Sequence, residues 1–318
     1  MIKKFLQKIF KKISYGFFIK IHGKIIKSIS SYSDQRIEVK TTEIGKNLKY
    51  NIYKIANGRL YTDRIHDTAI IIDNKVIQEP SFQLRYDDAS RMYNSKVEDN
   101  VVFTKGTPRI LKNLDGKVLS LLTGGGGNNN YWHWLFDVLP RVSLCSKFIK
   151  LDEINYFLLP SLLRKFQNQT LDCLNIPTNK RLSSKEFRHI KAKELIVTDH
   201  PVVTSGNATK DMQDMPKWIM QWLKNSFIKN NNKNKKKNKI YIDRKDVTAS
   251  NLRLIVNEKE IKKILLENNF IFINLGDINF SEQVDLFSNA DCIVGLHGGG
   301  FANLAFCQPG TKVVEFRS

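Results

Sequence analysis

Two stretches of this chain gather the residue types that acid–base and phosphate chemistry need. The first is "GGGGNNNYWHWLFDVLPR", Gly124 to Arg141, where a strand-like run ends in glycines and a helix-like run begins. His133 and Asp137 stand four apart, so on a helix they share one face, and Arg141 extends that face by another turn. A carboxylate one turn from an imidazole can hydrogen-bond it and fix its tautomer. Alternatively the carboxylate is itself a general base and the histidine supports it. Asn130 stands where a helix-capping side chain belongs. A plainer possibility is a capped helix end with a buried aromatic cluster, since Tyr131, Trp132, Trp134 and Phe136 are of usually buried types.

The second stretch is "IVGLHGGGFANLAFCQPGTKVVEF", Ile293 to Phe316. Three consecutive glycines carry a large conformational-entropy cost, so Gly298, Gly299 and Gly300 need a reason. In open α/β sheets ligands bind beyond the carboxyl ends of strands, and these glycines follow such an end. Backbone N–H groups there can approach a phosphate closely, and the start of a short helix over "FANLAF" adds positive potential. His297 can donate to a diphosphate oxygen. Asn303 can reach the ligand or cap the backbone, and Glu315 can accept hydrogen bonds from ribose hydroxyls. The alternative is a tight strand-to-helix turn with no ligand.

Several rival motifs fail. An H-G-G-G esterase loop requires a G-x-S-x-G elbow, and none is present. There is no G-x-x-x-x-G-K-[ST] loop and no complete G-x-G-x-x-G, which removes the common NTPase and dinucleotide readings.

The elements that would hold these stretches follow from periodicity. From Lys49 to about Leu111 the signals are short strands, with a hairpin turn at Asp73-Asn74-Lys75. An alternating series follows: "KVLSLLT" strand, the 131–148 helix kinked near Pro140, "INYFLL" strand, "SLLRKFQNQTLDCL" helix, "ELIVTDH" strand and "PKWIMQWLKNSFI" helix. After the tract "KNNNKNKKKNK" the alternation resumes with "KIYIDR", "EKEIKKILLENN", "NFIFINL", "SEQVDLFSNA", "DCIVGL" and "KVVEF". Such alternation implies βαβ units and parallel sheets. The expected fold is α/β, with two Rossmann-like domains facing a cleft. The expected boundaries are a basic amphipathic segment over 1–48, an acceptor-side domain over 49–228, a Lys/Asn linker over 229–239 and a ligand-binding domain over 240–318. A doubly wound domain ordinarily adds a helix after its last strand, so the 318-residue chain is either naturally short here or a truncated product.

The formal charge of +20 raises the possibility of nucleic-acid binding, but its location argues against it. Residues 1–30 hold eight lysines and no acid, and the Lys229–Lys239 tract holds six more lysines. The excess therefore sits on a tail and a linker, whereas a nucleic-acid binder spreads charge over a folded face with interleaved aromatics. In "MIKKFLQKIFKKIS" the apolar residues Ile2, Phe5, Leu6, Ile9, Phe10 and Ile13 fall on one helical face, with lysines elsewhere. A basic amphipathic helix of this kind suits an anionic membrane surface; packing on the protein's own body is the alternative. Lysines interrupt any signal-peptide core. Four scattered cysteines form no C-x-x-C pair, so neither a disulfide framework nor a zinc knuckle is indicated, and a reducing, cytosolic setting is expected.

Taken together, "NNYWHWLFDVLPR", "IYIDR", "NLRLIVNEKEI" and "SEQVDLFSNADCIVGLHGGGFANLAFCQPGTKVVEF" resemble glycosyltransferase family 61, over roughly residues 110–316. Its members carry an N-Y-x-H-W-x-x-D-like helix and a terminal G-x-H-G-A-G-x-x-N-x-x-F-x-x-P-G-x-x-x-x-E segment. Gly299 stands where the family usually has alanine, and the family's C-terminal helix has no counterpart. The resemblance implies a GT-B fold, a nucleotide-sugar donor in the C-terminal domain, an inverting and metal-independent transfer, and service in bacterial surface-polysaccharide synthesis. Arg253, Asn257 and Glu258 match its R-x-x-x-N-E segment, with donor-side or interdomain contacts as their expected role.

The chain contains no Asp-x-Asp metal clamp, so leaving-group charge falls to backbone amides, His297 and Arg244. Asp137 is then the expected base and His133 its substitute. The expected partners are a UDP-sugar and a glycan or lipid-linked acceptor, with no metal, cofactor or nucleic acid, at the inner face of the plasma membrane. The competing possibilities are a nucleotide-sugar-binding scaffold without catalysis and a basic nucleic-acid-binding protein.

Overall fold

The computed structural model describes residues 2–45, 48–89, 92–203, 208–229, 238–244 and 254–317. The chain is mixed α/β and, among the described residues, builds two sheets. Helix α1 (Ile2–His22) precedes the first of them. That sheet has eleven strands: β1 (Lys27–Ile29), β2 (Ile37–Ile44), β3 (Leu48–Ala56), β4 (Arg59–Thr62), β5 (Asp67–Ile72), β6 (Lys75–Tyr86), β7 (Met92–Asn94), β8 (Lys112–Ser120), β9 (Tyr156–Leu159), β10 (Arg181–Ser183) and β11 (His189–Thr198). The second sheet has four strands, β12 (Asn238–Asp243), β13 (Phe270–Asn274), β14 (Ala290–Leu296) and β15 (Lys312–Phe316), in the order β13-β12-β14-β15, all parallel. β12 thus begins inside the Lys/Asn tract, at Asn238.

The first sheet departs from a doubly wound layer. Parallel pairing is confined to the run β11-β8-β9-β10 and to the short edge pair β1–β6. The chain neighbours β2–β3, β4–β5, β5–β6 and β6–β7 join through turns too short for a crossover, which leaves antiparallel pairing as their solution. Asp73 and Asn74 turn β5 into β6 with φ of 44° and 61°, the two positive values a two-residue hairpin turn requires. β3 and β4 lie end to end along one edge of β11, separated by Asn57-Gly58. A side chain at Gly58 would collide with the Ile55 and Leu195 side chains at 2.9 Å, so glycine is required where the two strands pass that edge. Beyond the kink the sheet divides: β2 pairs with β3, and β5 continues from β4.

Four helices matter for the site: α2 (Lys165–Cys173), α3 (Lys217–Phe227), α4 (Glu258–Glu267) and α5 (Phe280–Ser288). One apolar cluster joins the two sheets. It contains Leu119 of β8, Trp134 and Phe136, Leu223 and Phe227 of α3, Phe280 and Phe287 of α5, Ile240 of β12 and Phe306. At its centre Phe227 meets Phe280 edge-on at 4.9 Å, and Phe280 meets Phe306 at 5.8 Å.

Candidate active site

The parallel strands β8 and β11 deliver their carboxyl ends side by side. After β8 come Leu121 to Gly127, and after β11 come Asp199 and His200. Beyond both ends opens a cavity of about 700 Å³ whose lining includes Thr123, Gly126, His133, Asp137, Arg141 and His200. Its placement follows the rule for ligands in open α/β sheets.

The helix leaving the glycines is irregular where it carries the chemistry. It runs as an α-helical turn at Tyr131–His133, a π-helical turn at Trp134–Val138, and an α-helix at Pro140–Cys145. Leu139 N–H donates to the Trp134 carbonyl, five residues back, at 3.1 Å. Pro140 has no N–H, and its ring would press on the carbonyl four residues before it. The wider turn resolves that conflict ahead of the proline and contains Asp137; such insertions recur at functional sites. Asn130 caps the start, accepting from the Trp132 and His133 amides. Trp134 Nε1–H donates to Thr170 of α2 at 2.8 Å, and Arg141 bridges the Asp137 and Thr198 carbonyls at 3.0 and 2.9 Å. Asn130 and Arg141 thereby hold the helix in place, and burial pushes the Arg141 guanidinium down to about 10.

His133 Nδ1 and Asp137 Oδ2 lie 2.6 Å apart. The Asp137 side chain is 6% exposed and that of His133 24%. Asp137 Oδ1 is buried without a hydrogen-bond partner. The His133 ring occupies the space a side chain at Gly126 would need: a Cβ there would lie 2.7 Å from the ring. This gives the glycine run a reason at that position.

Neither its type nor its spacing singles out His200 in the sequence. Val202 and Val203 amides point at its Nδ1, at 3.2 and 2.9 Å, so Nδ1 accepts and the proton sits on Nε2. Nε2 meets Thr123 Oγ1 at 2.9 Å and stands 3.9 Å from Asp137 Oδ2. Burial pushes this imidazole down to about 4. The signal that could have found it is the strand-end rule already applied to the glycines, because "DH" directly follows β11.

The second constellation forms at the end of β14. His297 Nδ1 lies 2.6 Å from Glu315 Oε1, with side chains 46% and 19% exposed. Burial would raise the Glu315 carboxyl, but hydrogen bonds from His297 and Arg317 hold it below the usual value. Arg244 donates to the His297 carbonyl at 3.0 Å, and its guanidinium lies 3.4 Å from where a Gly298 Cβ would stand. A Cβ at Gly300 would strike Leu275 at 2.8 Å, whereas Gly299 faces open space. Arg244, His297, Glu315 and the glycines are therefore together, outside the lining of the β8/β11 cavity.

Asn303 is committed elsewhere. Fully buried, it accepts from the Tyr131 hydroxyl at 2.7 Å and donates to Gln283 at 2.9 Å, joining the two constellations through protein contacts. Asn257 contacts Glu260, and Glu258 accepts from Tyr241 and Lys262, so both side chains make these bonds within the second half of the chain. Arg253 lies outside the described residues.

A family model described as Glycosyltransferase 61 matches residues 131–314, more than half of the chain. The chain belongs to glycosyltransferase family 61, and membership implies glycosyltransferase activity. No curated protein matches it.

Proposed function

We propose that the protein transfers a sugar from a nucleotide-sugar donor, a UDP-sugar in the first instance, to a hydroxyl of a glycan or lipid-linked acceptor, with inversion at the anomeric carbon. The process it would serve is assembly of a surface polysaccharide. The two sheets then take the parts of a GT-B-like arrangement, the first holding acceptor and the second holding donor.

The observation that carries this reading is the hydrogen-bonded pair His133–Asp137 at the edge of a cavity. A base must reach the proton it removes. One Asp137 oxygen is taken by His133 and the other is buried, whereas His133 Nε2 makes no hydrogen bond among the described residues. This favours His133 as the base and Asp137 as the carboxylate that keeps the proton on Nδ1 and stabilises the imidazolium. The bond between the anomeric carbon and the diphosphate oxygen breaks as the acceptor oxygen bonds to that carbon; the acceptor proton passes to His133 Nε2. Arg244, His297 and the amides of 298–300 meet the charge on the departing diphosphate, without a metal.

Melting the full chain with a panel of nucleoside diphosphates and nucleotide sugars tests the donor site. At a ligand concentration about 100-fold above Kd, native-state stabilisation is about 2.7 kcal/mol. A panel in which no member raises Tm removes the donor reading. A shift without turnover on any glycan would point to a non-catalytic scaffold.

A further inference from the structure

Helix α1 has two opposite apolar faces, and the body of the protein uses only one. On that side Phe18 stacks on His22 at 5.6 Å, and His22 meets His189 edge-on at 4.7 Å. Ile19 fills the space that a side chain at Gly106 would need. His22 Nε2 and His189 Nδ1 both lie 3.0 Å from the Arg109 carbonyl oxygen. These contacts clamp the C-terminal end of the helix to the first sheet.

Half a turn away, Leu6, Ile9, Phe10, Ile13, Phe17 and Ile21 recur at three- and four-residue intervals, which places all six on one face. Every one is exposed, Phe10 by 72%. Lys11 and Lys12 flank the stripe, with Lys20 and Lys24 exposed toward the helix's end. The first acidic residue of the chain is Asp34. No described helix is long and apolar enough to cross a membrane.

We infer that this face docks on an anionic lipid bilayer, lying in the plane of the interface with its apolar side chains below the headgroups and its lysines among the phosphates. Charge complementarity selects this occupant. A second copy of the helix would bring lysines against lysines with no acid to offset them. Because the His22 end is clamped, docking would also orient the first sheet, and with it the His133 cavity, toward substrates held at the membrane. The inference stands independently of the donor assignment.

The test is sedimentation of the full chain with vesicles of phosphatidylcholine alone and of phosphatidylcholine with phosphatidylglycerol. Binding is expected to the anionic vesicles, weaker in high salt. The triple variant Phe10→Gln, Ile13→Gln, Phe17→Gln should bind at least about tenfold less, with the melting temperature of the parent. Equal binding by parent and triple variant, or no preference for the anionic lipid, overturns the inference. So does a parent that ignores both vesicles and runs as a dimer that the triple variant converts to a monomer.

Discussion

His133 and His297 are built alike and set differently. Each follows a strand end, each lies beside glycines, and each holds a carboxylate oxygen at 2.6 Å through Nδ1. In the first half the carboxylate is buried and its second oxygen has no partner; in the second half the carboxylate is shared with the exposed Arg317. In the proposed reaction the buried, singly bonded carboxylate holds the His133 ring by Nδ1 and leaves Nε2 toward the cavity. The Glu315 carboxylate is divided between His297 and Arg317, and in the proposed reaction that imidazole serves as a hydrogen-bonding edge. The two arrangements thus differ in burial and in the fate of one oxygen.

The largest expected effect comes from breaking the first pair. His133→Ala should lower kcat by about 10²–10⁴-fold with donor-induced Tm shifts intact, and Asp137→Asn should be nearly as damaging. Steady-state kinetics and melting of the same preparations check this; a variant with parental kcat rejects His133 as base. On the second pair, Arg244→Gln should act chiefly on donor binding, raising donor KM about 10–100-fold, the range for a lost hydrogen bond to a charged group.

Acid separates the halves by stability. Burial pushes His189 down to about 3 and His200 down to about 4. Both are neutral in the folded chain while their unfolded counterparts titrate near 6.5, so the unfolded state binds more protons as pH falls below that value. Stability contributed at pH 7 is therefore lost progressively toward about pH 4 and 3. Between pH 7 and 5 the two together should cost about 4 kcal/mol, read as a falling denaturant midpoint. His189→Gln should flatten that slope; an unchanged slope would show that His189 is not its source.

The smallest effects come from the glycines, and they should differ in kind. Gly299→Ala faces open space and should leave Tm and kinetics within about 0.5 kcal/mol of the parent. Gly126→Ala must displace the His133 ring and should cost activity before stability. Equal kinetics for the two variants would mean that His133 has no required position.

What the sequence disclosed was local. The strand–helix alternation, the Asp73-Asn74 hairpin and the break in the 131–148 helix each follow from a few neighbouring residues. What it hid was set at a distance. The π-helical turn ahead of Pro140 has no residue signature of its own. The division of the first sheet depends on which edge of β11 the kink at Asn57-Gly58 meets. His200 becomes part of the site only because β8 and β11 are adjacent. Asn303 lay in a ligand-like motif, but its partner Tyr131 is 172 residues away, and no pattern along the chain announces that bond.

That bond has a consequence for anyone recombining this protein with its relatives. Tyr131 stands two residues before His133, and Asn303 three after the last glycine of the loop that follows β14, so one hydrogen bond splices the His133 helix to that turn. A chimera cut at the Lys/Asn tract would inherit one member from each parent. Mismatched, it would leave the fully buried Asn303 amide without its partner, a loss of about 1–3 kcal/mol, beside both histidine–carboxylate pairs. Tyr131 and Asn303 should therefore be exchanged as a pair.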